Sequence, residues 1–99
     1  MTADVRNNED QSRYELWLDG RMVGVADYEL VDDTGDELLF PHVEIERALR
    51  NQGLGDQLIQ GALDDVRRAG RMLVPRCWAV ADYITEHPEY ADLVVRETR

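Results

Sequence analysis

Cys77, His42 and the glycine pair Gly53 and Gly55 are the residues of this sequence whose types and placement suit chemistry. A thiol can act as a nucleophile or as an acid. An imidazole moves protons near neutral pH. The glycines lie in "RNQGLG", residues 50–55, after the apolar-rich run "ELLFPHVEIE" and at the start of the amphipathic run "LGDQLIQGALDDVRRAG". At a helix N-terminus the first N–H groups have no intrahelical partner and the macrodipole is positive. Glycines there let an anion come close to the backbone, so strand, loop and helix together make a pyrophosphate site. Each residue also has a plainer reading. A free cysteine serves as a small core hydrophobe, a lone histidine as a structural side chain, and a glycine pair as a strand-to-helix turn. The residues alone leave these alternatives open.

The remaining candidates are carboxylates and a second histidine. By strand alternation His42 shares a face with Leu38, Phe40, Glu44 and Glu46. His42 and Glu44 are therefore candidate bases, and the acids could equally form a solvated strand face. His87, in "HPEY", reads as a helix C-terminal cap. Cys77, His42 and His87 lack the pair spacing of a metal site. The dinucleotide G-x-G-x-x-G fingerprint is not met, because position 58 is Leu58, and a P-loop is excluded by the absence of its lysine.

These residues need elements to hold them. Residues 1–12 read as a disordered tail, and residues 13–95 as one domain. "RYELWLDGRMVGVADYELVDD" reads as a hairpin around Asp19-Gly20, and "DDTGD" marks the next turn. "ELLFPHVEIE" is a third strand, in which Pro41 must break the ladder or make a bulge. Over residues 54–69 the period becomes helical: Leu54, Leu58, Ala62, Val66 and Ala69 form one stripe, with Ile59 and Leu63 beside it. Gly70 is placed to cap the C-terminus. "RMLVPRCW" is a fourth strand carrying Cys77. "AVADYITEH" is a second helix, and "YADLVV" a last strand or helical turn. Strand, crossover helix and strand form a βαβ unit, so the third and fourth strands should be parallel neighbours or nearly so. The fold class is mixed α/β, with antiparallel N-terminal strands leading into that unit.

The loop "RNQGLG" fits the Arg/Gln-x-x-Gly-x-Gly/Ala pattern, and "HVEIERALRNQGLGDQLIQGALDDVRRAG" with "LVPRCWAVADYITEHPEY" extends the match over most of the chain. In these pieces the chain resembles the short, single-domain branch of the GNAT N-acetyltransferase superfamily. The resemblance implies a GNAT-like fold and acetyl-CoA as cosubstrate. It implies that Arg50 and the backbone of Gln52, Gly53, Leu54, Gly55 and Asp56 hold the pyrophosphate. It implies that the strand bearing Phe40, Val43 and Ile45 pairs with the pantetheine amides where two strands splay, with Pro41 as a cause of the splay. Tyr83 is placed with the cofactor-binding residues. Cys77 becomes a catalytic candidate, able to protonate the leaving thiolate or accept the acetyl group, beside His42 and Glu44. One position departs from larger relatives: Thr85 stands where their tyrosine general acid is expected. The helices that wall the acceptor site in those relatives have no counterpart among residues 1–37, so the acceptor groove should be open, with Trp17 and Trp78 as core, edge or groove residues. A module that binds CoA or a protein without turnover is the alternative reading.

Composition narrows the partners. Against 21 Asp and Glu stand 11 basic residues, all arginine, for a net charge of −10. That argues against a nucleic-acid partner, which needs a basic face. It favours an amine acceptor that is cationic in solution, small or on a protein, drawn by long-range attraction. Because acetyl-CoA is an anion, positive potential is expected around the glycine loop, with acidic residues elsewhere, including Glu44, Glu46 and Asp82 near the splay. The lone cysteine rules out an intrachain disulfide and suggests a reducing, cytoplasmic home. No apolar run reaches the ~18 residues that span a bilayer, so no membrane partner is expected. The expected state is a monomer or weak homo-oligomer.

Overall fold

The computed structural model describes residues 3–95. Five strands form one sheet in the order β1-β2-β3-β4-β5. They are β1 (Ala3–Asn8), β2 (Arg13–Leu18), β3 (Arg21–Leu30), β4 (Glu37–Ile45) and β5 (Met72–Pro75). The first four are antiparallel neighbours. Helix α1 (Leu54–Arg68) crosses over and returns the chain to β5, which lies parallel to β4. Helix α2 (Trp78–Glu86) follows directly, then a 3₁₀ segment (Pro88–Leu93). The final apolar stretch ends in a single parallel bridge, Leu73 to Val94.

The β2–β3 hairpin turns at Asp19-Gly20, both with positive φ (50° and 86°), as a two-residue turn with right-handed strand twist requires. The apolar stripe of α1 is buried from Leu54 to Val66, against Tyr14, Leu16, Leu38, Phe40 and Leu73 of the sheet. Ala69 falls past the helix as its C-cap and is exposed. Tyr14, Tyr28 and Phe40 pack ring to ring at 5.5–6.1 Å. The Tyr14 hydroxyl donates to Asp65 Oδ2 at 2.7 Å, tying sheet to helix.

The N-terminal segment differs from the expected disordered tail. Residues Ala3–Asn8 form edge strand β1, paired with β2 from Ala3↔Leu18 to Asn8↔Arg13. Its own sequence carries little hydrophobic pattern, and its place is made by the helix. A Cβ on Gly61 would lie 2.6 Å from the Val5 side chain, so the bare glycine lets β1 approach α1. Asn7 Oδ1 accepts from the Tyr28 hydroxyl at 2.8 Å and anchors the strand further.

Pro41 does produce a bulge. Asp27 pairs with His42 and Glu29 with Leu39, so Phe40 and Pro41 together face Tyr28. The extra residue moves the buried positions of β4 from even to odd. Leu38 and Phe40 are buried before it, and Ile45 after it with Val43 half-buried, while His42 and Glu44 are exposed. His42 and Glu44 therefore do not share the face of Leu38 and Phe40. A one-residue slip turns every later side chain over.

Four tyrosines give the fold an alkaline limit. Burial, joined by the Asp65 hydrogen bond, holds the Tyr14 phenol above its ordinary value. Burial and then the Asp64 hydrogen bond push Tyr90 up to about 12. Tyr28 and Tyr83 are raised chiefly by burial. Each stays protonated in the folded state after it would ionise in the unfolded one. Their stabilisation is complete below a pH of about 10 and is lost as pH rises toward the folded values. The melting temperature should hold up to that pH and fall above it. A scan of thermal denaturation against pH checks this, with Tyr90→Phe expected to soften the fall.

Candidate active site

The parallel ladder of β4 and β5 runs from Glu37↔Met72 to Phe40↔Pro75 and stops at the bulge. One further bond joins the two arms: the Cys77 N–H donates to the Phe40 carbonyl at 2.8 Å. Beyond it the chain leaves the sheet and enters α2. Cys77 thus lies past the end of β5, at the N-cap of α2 with extended backbone (φ −79°, ψ 129°), rather than on a strand. Pro75 ends the strand. Cys77 is half-buried and packs against the core at the apex of the splay.

From this apex the free edge of β4 forms one wall of a cleft. Glu46 N–H donates to the Val23 carbonyl at 2.8 Å. By antiparallel alternation the peptide groups of Glu46, Glu44 and His42 turn toward β3, and those of Val43 and Ile45 turn toward the splay. The Ile45 carbonyl accepts from Arg50 Nε at 3.0 Å. The Val43 N–H and carbonyl and the Ile45 N–H are left as a row of polar groups facing the opening.

The loop leading to α1 supplies the cleft's end. After a 3₁₀ turn (Arg47–Leu49), Asn51 and Gly53 adopt positive φ of 66° and 78°. Gly53 is the N-cap of α1, and no side chain caps the helix. The first helical bond is Gln57 N–H to the Gly53 carbonyl, so the N–H groups before it lie outside the helical ladder. Gly53 needs to be glycine for its backbone. Gly55 does not: a Cβ there would meet only Ile45 Cγ1, at 3.8 Å. Its small size leaves space on the cleft side.

The cleft encloses about 530 Å³, within the usual range of small-molecule sites. Of the residues expected from the sequence, Val43, Glu44, Ile45, Arg50, Gly53, Gly55, Asp56 and Tyr83 line it. Phe40, His42, Gln52, Leu54 and Cys77 do not. Phe40 and Leu54 have buried side chains that serve the core, and Phe40 touches the splay only through its carbonyl. Gln52 is exposed. His42 lies on the outer sheet face, its Nε2 3.1 Å from Glu44 Oε1. Thr85 points away and donates to the Ala81 carbonyl at 3.1 Å. His87 caps α2, with its N–H and Nδ1 both 2.9 Å from the Tyr83 carbonyl, and its ring stacks on Tyr83 at 4.0 Å. Trp17 lies under the Arg6 guanidinium at 4.5 Å, whereas Trp78 is 79% exposed and lines the cleft.

The second wall was less visible in the sequence. Trp78, Ala79, Asp82, Tyr83 and Glu86 line the cleft from α2, with Asn51 and Ile59 from the loop and α1. The four-residue steps from Trp78 to Asp82 to Glu86 put them on one helix face, the signal available beforehand. Glu44 and Asp82 stand at the cleft as the expected acids near the splay, while the glycine loop is less positive than expected. The lining carries one cation, Arg50, and four carboxylates, Glu44, Asp56, Asp82 and Glu86. Anion attraction in the cleft is left to Arg50 and the helix N–H groups. Among the described residues no group of His, Cys, Asp or Glu is placed to hold a metal, and no helix is long and apolar enough to cross a membrane.

An uncapped glycine-bearing helix start beside a splayed pair of parallel strands is a distinctive arrangement. A sequence model described as GCN5-related N-acetyl-transferase matches residues 13–93. The chain belongs to that family. The GCN5-related N-acetyltransferases carry out acetyl transfer with acetyl-CoA as donor, and this chain is an N-acetyltransferase of that family. Its fold is that of a GCN5-like protein from Staphylococcus aureus (14% identity, TM-score 0.68, 97% of this chain and 91% of that one). It is also that of the ribosomal-protein-S18-alanine N-acetyltransferase of Escherichia coli (24% identity, TM-score 0.57), of which it matches half the length, 50%, with 77% of its own. AAC(6')-Iy, solved with a bisubstrate analogue containing CoA, shares the fold at 16% identity and TM-score 0.51, over 88% of this chain and 63% of that one. No curated protein sequence matches the chain.

Proposed function

We propose that this N-acetyltransferase binds acetyl-CoA along the cleft and transfers its acetyl group to an amine that is cationic in solution. The observation that carries the reading is the meeting of the free β4 edge with the uncapped start of α1 in one cleft. The N–H groups from Gly53 to Asp56, with Arg50, hold the pyrophosphate. The pantetheine amides pair with Val43 and the Ile45 N–H. This places the thioester toward the apex, near Cys77.

The chemistry then needs a proton path. The amine attacks as a neutral nucleophile, so its proton passes to a base. Glu44, which lines the cleft, and His42 beside it are the proposed acceptors. The C–N bond forms, the tetrahedral intermediate collapses, and the C–S bond breaks. The thiolate takes a proton as CoA leaves. The Cys77 thiol supplies that proton, or takes the acetyl group first and passes it to the amine. Tyr83, protonated because burial and the carboxylates of Asp56, Asp64 and Glu89 raise its pKa, acts as a hydrogen-bond donor to the cofactor. Cys77→Ala should lower turnover and leave acetyl-CoA affinity nearly unchanged, because the thiol acts in the transition state. Steady-state kinetics beside calorimetry separate the two, and full activity in that variant would reduce Cys77 to packing.

The acceptor's charge follows from the acidic walls together with the net charge of −10. Incubation with acetyl-CoA and pools of amines and peptides, read by mass spectrometry for free CoA and acetylated product, tests the function. For a polycationic acceptor kcat/KM should fall as salt rises, since exposed charges are screened over about 8–10 Å. A preference for anionic or neutral acceptors without that response would overturn the cationic assignment.

A further inference from the structure

We infer that the acceptor carries a second positive charge besides the amine that reacts, held by the Trp78 ring together with the Asp82 carboxylate. Trp78 is then a specificity-determining residue for a dicationic acceptor. The inference rests on the reading that the cleft holds the acetyl donor. Trp78 does little for the fold. Its side chain is 79% exposed, while Val80, Tyr83 and Ile84 turn another side of α2 into the core. The indole nevertheless lines the cleft, with Asp82 and Glu86 from the same helix.

Its place along the cleft gives the ring to the acceptor. The donor's pyrophosphate lies at the start of α1, and its thioester points toward the apex at Cys77. Trp78 follows Cys77 directly, one Cα step of about 3.8 Å. It therefore stands at the reacting end, where the second substrate must enter. The reacting nitrogen sheds its proton before it attacks, so its charge is gone when recognition matters most. A charge that persists through the reaction is a better ligand for an aromatic face, which attracts an ammonium or guanidinium within about 6 Å of the ring centroid. Arg6 sits over Trp17 in this way, at 4.5 Å. Asp82 lies one turn from Trp78 on the same helix face, roughly 6 Å along the axis. A cation between indole and carboxylate is met by both. Glu44, on the β4 wall, is left for the reacting nitrogen. The two charges of the acceptor thus meet different groups, and a monoamine can use only one set of them.

Steady-state kinetics of the full chain with acetyl-CoA test this, using diaminoalkanes of three to eight carbons, each beside the monoamine of equal length. At the best length kcat/KM for the diamine should exceed that for the monoamine by about fivefold or more, with the gain in KM. Trp78→Leu keeps an apolar side chain but has no aromatic face. It should bring the pair to within about twofold, the ratio that two equivalent amines give by number alone, and Asp82→Asn should act in the same direction. Trp78→Phe should keep the preference. Calorimetry should show acetyl-CoA affinity unchanged in Trp78→Leu. No diamine preference at any length, or one that survives Trp78→Leu, would overturn the inference. Weakened acetyl-CoA binding in Trp78→Leu would give the ring to the donor and overturn it as well. Acetyl-CoA that binds while none of these amines is acetylated would overturn the inference and leave the donor reading standing. Acetyl-CoA that fails to bind the unaltered chain would overturn the donor reading, and this inference with it.

Discussion

Replacing Gly55 with valine is expected to weaken acetyl-CoA binding tenfold or more and to leave the fold intact. Gly55 occupies the first turn of α1, where helical backbone suits any residue, and a Cβ there would have only ordinary contact with Ile45 at 3.8 Å. The protein itself does not demand glycine at this point. Glycine in a helix costs about 0.8–1.0 kcal/mol relative to alanine, so its presence without a packing need points to the ligand side. A branched side chain would stand between the pyrophosphate and the N–H groups that hold it. Gly53→Val is the contrasting variant. Its φ of 78° makes any side chain strained, so affinity and stability should fall together. Calorimetry with thermal denaturation separates the two variants. Unchanged affinity in a folded Gly55→Val protein would remove the pyrophosphate assignment.

Phe40→Ala should have the largest effect on stability, a loss of about 3–5 kcal/mol. The ring is 2% exposed and packs between Tyr14 and Tyr28 beneath α1. For a domain whose whole stability is about 5–15 kcal/mol, that loss leaves a large unfolded fraction at modest temperature. Phe40 stands next to the pantetheine strand in sequence, yet its side chain does not line the cleft. The variant should bind acetyl-CoA nearly normally wherever it remains folded. Denaturant unfolding measures the first effect, and titration at low temperature the second. A normal melting curve with weakened binding would reverse the assignment.

How much of this was legible in the sequence depended on which force wrote the signal. The α1 stripe and the Asp19-Gly20 hairpin were plain because periodicity and turn chemistry are local. Pro41 announced a break in β4, but alternation was carried through it unchanged, and the faces of His42 and Glu44 came out reversed. A bulge is one residue long and reassigns every residue after it. Pro75 likewise ended its strand early enough to put Cys77 at a helix cap. Strand β1 was missed because its place is encoded mostly elsewhere. Gly61, a glycine inside an otherwise strong helix, marked a close approach, but the partner lay 56 positions earlier in "ADVRNN". The glycine loop was legible as a glycine-bearing helix start, and Asp82 as an acid near the splay, whereas Ala79 and Glu86 joined the cleft wall only once α2 stood opposite β4.

The order of strands in the sheet has a kinetic consequence. Strands β1 to β4 are neighbours both in the chain and in space, so their pairing closes only short loops. Strand β5 reaches β4 only after the α1 crossover, and α2 follows it. The cleft is walled by β4 on the early side and by α2 on the late side, so its assembly is expected to belong to the late, non-local part of folding. Thermal opening can detach β5 and α2 while the antiparallel strands remain paired, and amide exchange would report that event as a unit of lower protection at Met72–Pro75 and Trp78–Glu86. A donor molecule lying across both walls would join the two units and raise their protection together, in proportion to its concentration over its dissociation constant.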